Sequence, residues 1–167
     1  LKTKTDKSEE EIMKLSKKFL EQIESKLYKS QLPSEILINL ENAEHNQPIY
    51  LKGINFVSLC EHHLLPFSGL VNIAVYPNNN IAGVSKFSEL VSLLSNNLTL
   101  QESLTKNIAV EIQNALDPKG VMVKISANHM CSSLLNIENS ETVFETTYST
   151  GIYEIDHTLR NEALLNF

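Results

Sequence analysis

Cys60 and His63 lie one helical turn's reach apart in the run Cys60-Glu61-His62-His63, and His129-Met130-Cys131 answers them far downstream. These are the only two cysteines of the chain, and each stands close to histidine. Cys60, His63 and Cys131 would give a tetrahedral zinc ion three protein ligands and leave one position for water. That is the layout of a catalytic zinc; a fourth protein ligand would close the site. His62 and His129 are then left as proton carriers beside the activated water. Two other readings compete. The cysteines could be inert buried hydrophobes, or they could form a disulfide. Lys2, Lys4, Asp6, Lys7, Ser8 and Glu9 read as no export signal, which argues against the disulfide. Three of the five histidines lie within three residues of a cysteine, which argues against inert burial. The spacing favours zinc over both.

The rest of the composition sets bounds. A chain of 167 residues is most simply one domain with a real core. Its 42% hydrophobic and 20% charged residues are those of an ordinary globular protein. No apolar run reaches the length of a membrane span, so no membrane partner is expected. A net charge of −6 argues against nucleic acid as a partner, which needs a basic face. Few cysteines and no export signal point to a reducing, cytoplasmic setting.

The elements that must position the site follow from periodicity. Ser8 and Glu11 fit a capping box, and Ile12, Leu15, Phe19, Ile23 and Leu27 recur on one helical face. Pro33-Ser34-Glu35 restarts a short helix through Leu40, and 41–48 is loop-like. Residues 1–48 thus read as a helical segment leading into one domain at 49–167. Ile49 to Leu59 reads as a strand running into Cys60, and Leu70 to Tyr76 as a second. Together they form a hairpin whose connection carries the Cys-Glu-His-His-Leu-Leu-Pro-Phe segment. Phe87 to Leu94 and Leu100 to Leu116 read as helices. Val121, Val123 and Ile125 alternate with polar residues in a half-buried strand that delivers His129 and Cys131. Val143 to Ser149 is another strand. Asp156 can cap a last helix with Leu159, Ala163 and Leu164 inward. The class is α+β, an antiparallel sheet with helices packed on one face.

These segments, in this order, resemble the GTP cyclohydrolase I family. The resemblance rests on Phe56-Val57-Ser58-Leu59-Cys60-Glu61-His62-His63-Leu64-Leu65-Pro66-Phe67, Gly83-Val84-Ser85-Lys86, Leu100-Gln101-Glu102-Ser103-Leu104-Thr105, Gly120-Val121, His129-Met130-Cys131 and the closing Arg160-Asn161-Glu162. It implies the tunnelling fold, in which subunits assemble into a homo-oligomeric ring (a decamer is one such ring) with active sites between them. It implies that Cys60, His63 and Cys131 hold Zn2+ to activate water toward C8 of guanine, and that His62 and His129 move protons. Glu102 would accept from the guanine N1–H and 2-amino group, Gln101 would help position base or ribose, and Ser85 and Lys86 would contact ribose and phosphates. Read alone, Glu102 is simply a carboxylate favoured at a helix start, Lys86 a solvated lysine and Ser85 a helix cap. His45 and His157 match no functional position.

The departures from the family concern the triphosphate. Glu89, Ser103 and Leu135 stand where the family typically has arginine, and Asn96-Asn97 where it has one or two. The Thr-Pro-x-Arg stretch upstream of Cys60 has no counterpart, and Arg160 is the only arginine of the chain. Losing such contacts should cost several kcal/mol of triphosphate binding, at ~1.5–3 kcal/mol per charged hydrogen bond. Three functions are therefore expected to compete. The first is conversion of GTP and water to formate and 7,8-dihydroneopterin triphosphate, a step toward folate or pterin. The second is related chemistry on a less phosphorylated purine or pterin. The third is a non-catalytic ring-forming homologue, weakened by the survival of His62, His63, Glu102 and Cys131.

Overall fold

A computed structural model describes residues 7–27, 32–37, 40–41, 44–135 and 142–167. They fall into two compact units, Leu1–Ser30 and Gln31–Phe167. The first is helix α1 (Glu9–Leu27). Its start is the expected capping box: the Ser8 amide donates to Glu11 Oε2 at 2.8 Å and the Glu11 amide donates to Ser8 Oγ at 3.3 Å. Leu15 and Phe19, expected on its apolar face, are 51% and 53% exposed.

The second unit opens with α2 (Pro33–Ile36) and β1 (Leu40–Glu41), so Leu40 stands in a strand rather than ending a helix; 38–39 and 42–43 lie outside the described residues. Then come β2 (Ile49–Cys60), β3 (Pro66–Tyr76), β4 (Asn80–Ile81), α3 (Val84–Ser95), β5 (Leu98–Thr99) and α4 (Gln101–Leu116). The chain closes with β6 (Gly120–His129), α5 (Met130–Leu135), β7 (Val143–Gly151), α6 (Ile152–Ile155) and α7 (His157–Asn166). The main sheet has the order β5-β2-β3-β6-β7, antiparallel except for the short β5–β2 pair. The class is α+β, as the periodicities predict, but helices pack on both sheet faces and not on one, because alternate residues of β3 and β6 are buried on each side.

Val71, Ile73, Val121, Val123 and Ile125 are buried on one sheet face against Leu90, Val91, Leu104, Ile108 and Ile112 of α3 and α4. Each such side chain contributes about 1.5–3 kcal/mol by leaving water. The opposite face carries a smaller cluster, where Ala74 and Met122 meet Tyr153 and Ala163 of the C-terminal helices. Asp156 caps α7 as expected, accepting from the Thr158 and Leu159 amides. Ala163 and Leu159 face inward, but Leu164 is 39% exposed because one turn of a short helix covers only a narrow strip. Among the described residues no helix is long and apolar enough to cross a membrane.

Two glycines set the register on which the site depends. Leu51 pairs with Ile73 but Ile54 with Val71, so β2 holds one extra residue at Lys52-Gly53. Gly53 takes φ +74° there and its amide donates to Asn72 Oδ1 at 2.8 Å. This is a β-bulge of the glycine type. Before it Leu51 faces the core; after it Phe56, Ser58 and Cys60 do. Strand faces alternate with period two, so without the extra residue Leu59 would face inward and Cys60 outward. At Gly69, β3 and β6 approach so closely that a Cβ would collide with the Ser126 carbonyl and Ala127 Cα. Gly69→Ala is therefore expected to cost about 1–3 kcal/mol of stability by forcing backbone to move. Urea unfolding checks this, and an unchanged midpoint would show that the ladder yields freely.

Candidate active site

The β2–β3 connection is tighter than the motif suggests. Cys60 ends β2, Pro66 and Phe67 already belong to β3, and only 61–65 turn. The Cys60 amide donates to the Leu65 carbonyl at 2.9 Å and the Leu64 amide to the Cys60 carbonyl at 2.8 Å. Leu64 takes φ +56°, an uncommon conformation for a bulky residue, to close this turn. Cys60 is thereby buried at the sheet end while His62 and His63 stand exposed on the loop, ring centroids 6.0 Å apart.

The parallel pairing of β5 with the end of β2, Leu59 to Leu98 and Cys60 to Thr99, brings the next helix to the same point. The Ser58 hydroxyl ties it by donating to the Asn97 carbonyl at 3.1 Å. Helix α4 begins one residue after Leu100, so Gln101 and Glu102 open its first turn beside Cys60. From the other side, β6 ends at His129, which pairs in register with Phe67, and α5 follows at once with Cys131. His129 stacks on Phe67 at 4.6 Å and 8°, and meets Phe144 edge-on at 5.6 Å.

One cavity of about 300 Å³ results, lined by Cys60, His62, His63, Gln101, Glu102, His129 and Cys131 among others. Leu100, Ser132, Thr142 and Phe144 complete its wall; Phe144 comes from the start of β7 and Thr142 directly precedes that strand, and only the strand register could have revealed this. Ser85 and Lys86 do not line it. They sit in the first turn of α3, whose N-cap is Gly83 and not Ser85. Lys86 Nζ is held by Glu89 at 2.8 and 3.0 Å. Arg160 donates to the carbonyls of Tyr153 at 2.7 Å and Glu154 at 2.6 Å, tying α6 to α7. Asn96 caps α3 through its own side chain, Nδ2 donating to the Ser92 carbonyl at 2.6 Å.

Burial holds the His129 imidazolium below the ordinary histidine range, and the Glu102 carboxylate partly offsets this. The ring is therefore mainly neutral near pH 7 and can take a proton. Both thiols are free. Two thiols and an imidazole on one cavity wall are the donor types of a zinc site. The side chains are not drawn together, however: among the described residues no three His, Cys, Asp or Glu side chains converge closely enough to hold a metal ion. The donors thus fit zinc by chemistry and by shared cavity, and ligation would require them to turn inward.

A family profile described as GTP cyclohydrolase I matches residues 2–167. The chain is 47% identical over 119 residues to GTP cyclohydrolase 1 of Rickettsia typhi, covering 71% of this chain and 62% of that one. It is 46% identical over 116 residues to GTP cyclohydrolase 1 of Rickettsia prowazekii, covering 70% and 61%. The match thus spans about three fifths of the length of these curated relatives. A crystal structure of the archaeosine synthase QueF-Like in the apo form aligns with 65% of this chain and 97% of its own, at 16% identity and a TM-score of 0.53. That likeness shows a shared fold, the tunnelling fold, and nothing of activity. Profile, relatives and the cavity's residue set agree that this chain belongs to the GTP cyclohydrolase I family.

Proposed function

We propose that the chain catalyses GTP cyclohydrolase I chemistry, releasing formate from C8 of a guanine nucleotide, with zinc held by Cys60, His63 and Cys131. The supporting observation is the gathering of seven residues, Cys60, His62, His63, Gln101, Glu102, His129 and Cys131, from three separate segments onto one cavity. Zinc, when bound, supplies Lewis-acid activation of water. Glu102, at the α4 start, offers two carboxylate oxygens to the paired N–H donors of guanine. His129, neutral at pH 7 and sandwiched by aromatic rings, exchanges a proton as the imidazole ring of the base opens. His62, on the exposed loop, serves as the second proton carrier. Phe67 and Phe144 keep water from one side of His129. Ser85 and Lys86 would act in the cavity of a neighbouring copy, which accords with a ring-shaped homo-oligomer. The two free thiols suit a reducing, cytoplasmic compartment.

A second reading, a substrate with few or no phosphates, draws on a specific observation. The lone arginine is committed to backbone carbonyls, and Lys86 is paired with Glu89. Breaking that exposed pair costs little, about 0.3–0.5 kcal/mol. Yet Glu89 stays where it is, and its charge opposes any phosphate that Lys86 would hold. GTP and guanosine, offered in parallel to the zinc-loaded protein, separate the readings. A far lower KM for GTP supports the first; equal or reversed preference replaces it with the second. Glu89→Arg is expected to lower the KM for GTP at least about tenfold, from one new charged contact of ~1.5–3 kcal/mol, and to leave guanosine unaffected. An unchanged KM for GTP would mean that Glu89 lies away from the phosphates.

A further inference from the structure

Gln101 enters the family resemblance as a substrate contact, but its side chain is 1% exposed and fully engaged inside the protein. Its Nε2 lies 3.2 Å from the Ile125 carbonyl oxygen, 3.0 Å from the Phe144 carbonyl oxygen and 3.0 Å from Thr146 Oγ1. Two of these three neighbours can only accept, so the amide nitrogen must face them. The opposite orientation would set an oxygen against two carbonyl oxygens. Oε1 therefore faces His129 Nε2, 2.8 Å away. Oε1 can only accept, so the ring must supply the proton.

The orientation is locked from behind. The Thr105 hydroxyl donates to the Gln101 carbonyl at 2.7 Å, which leaves Thr146 to donate to Thr105 Oγ1 at 2.6 Å. Thr146 Oγ1 is then left as an acceptor toward the Gln101 amide, whose two N–H groups are shared among it and the two carbonyls. Every donor in this chain of groups has one direction. Donation runs from a single ring nitrogen, through the amide, to two backbone carbonyls.

We infer that Gln101 is a positioning residue whose Oε1 fixes the proton of His129 on Nε2 and leaves Nδ1 as the ring nitrogen that serves the reaction. The functional half of this inference rests on the cyclohydrolase reading; the tautomer does not. A tautomer held in advance removes the wrong form from the reacting population, as second-shell groups do for other histidines. The Phe67 stack fixes the ring plane, and Gln101 fixes which edge carries the proton.

The direct test is long-range ¹H–¹⁵N correlation on zinc-loaded protein labelled at histidine nitrogen, at about pH 8, above the usual imidazole range. His129 is assigned by the signal lost in His129→Asn. A single Nε2–H tautomer is expected, and an Nδ1–H tautomer or an even mixture overturns the inference. This arm needs only the unaltered protein, so no folding failure can obscure it. Gln101→Met, which keeps the volume, is expected to yield a mixture of tautomers. It should also lower kcat by about tenfold or more with KM within about twofold. A raised KM with unchanged kcat would make Gln101 a substrate contact and would overturn the positioning role. The expected tautomer in a protein that turns over no guanine substrate would uphold the tautomer assignment and count against the cyclohydrolase reading alone.

Discussion

Cys131→Ala is expected to remove both bound zinc and formate release, lowering turnover by at least about a thousandfold, or about 4 kcal/mol of transition-state stabilisation. Cys131 is the second residue of α5, just behind the end of β6; it is half-buried and shares its cavity with buried Cys60 and exposed His63. With only two ligands left, affinity should fall steeply, because no other thiol exists in the chain to take the place. Ser132→Ala, one residue on and lining the same cavity, is the matched control and should retain zinc. Metal analysis and formate release on both variants decide the matter. Turnover that survives in Cys131→Ala without zinc would undo the proposed ligand set.

The second large effect belongs to His129. His129→Asn should keep zinc and bind substrate nearly as before, while kcat falls by about a hundred- to ten-thousandfold, the usual range for a general acid–base. Loss of the Phe67 stack adds a modest stability cost of about 0.5–1.5 kcal/mol. The two consequences separate cleanly. Steady-state kinetics reports the first, and the urea midpoint reports the second. A kcat within about threefold of the unaltered protein would remove His129 from the proton-transfer steps and leave it a packing residue.

Much of this architecture was legible because local chemistry decides it. Ser8 with Glu11 and Asp156 with Thr158 act within one turn, and Val121, Val123 and Ile125 alternate strictly in a buried strand. The ligand and proton-carrier candidates were legible because cysteine and histidine are scarce and clustered. What could not be read depends on pairing between distant segments. An isolated glycine within a strand pattern is a bulge signal, but only the partner strand shows that Gly53 turns Cys60 toward the core. The two-residue strand β5 is too short for any periodicity, yet it places Gln101 and Glu102 beside Cys60. Pro66 and Phe67 look like loop until the match of Phe67 with His129 extends β3 to include them. Gln101 is expected from the resemblance to help position base or ribose. Its burial follows from β6 and β7 crossing above it, which no local pattern carries.

The departures from the family acquire a physical form in the same way. Sequence shows that arginines are missing; the structure shows what Asn96 and Glu89 do in their place and how the remaining Arg160 is engaged. Asn96 caps a helix, Glu89 neutralises Lys86, and Arg160 fastens two C-terminal helices. Each occupies its cationic or polar group within the chain. The residues proposed to act on the base all line the cavity, so the proposed base chemistry and phosphate recognition can be tested separately.

The most direct test of the proposed chemistry is to supply the zinc-loaded protein with GTP carrying ¹³C at C8 and to follow the label. Labelled formate, released in equal amount with a dihydropterin product, is the predicted result. An intact labelled purine, with neither formate nor a dihydropterin formed, would contradict ring opening at C8 of GTP by this chain.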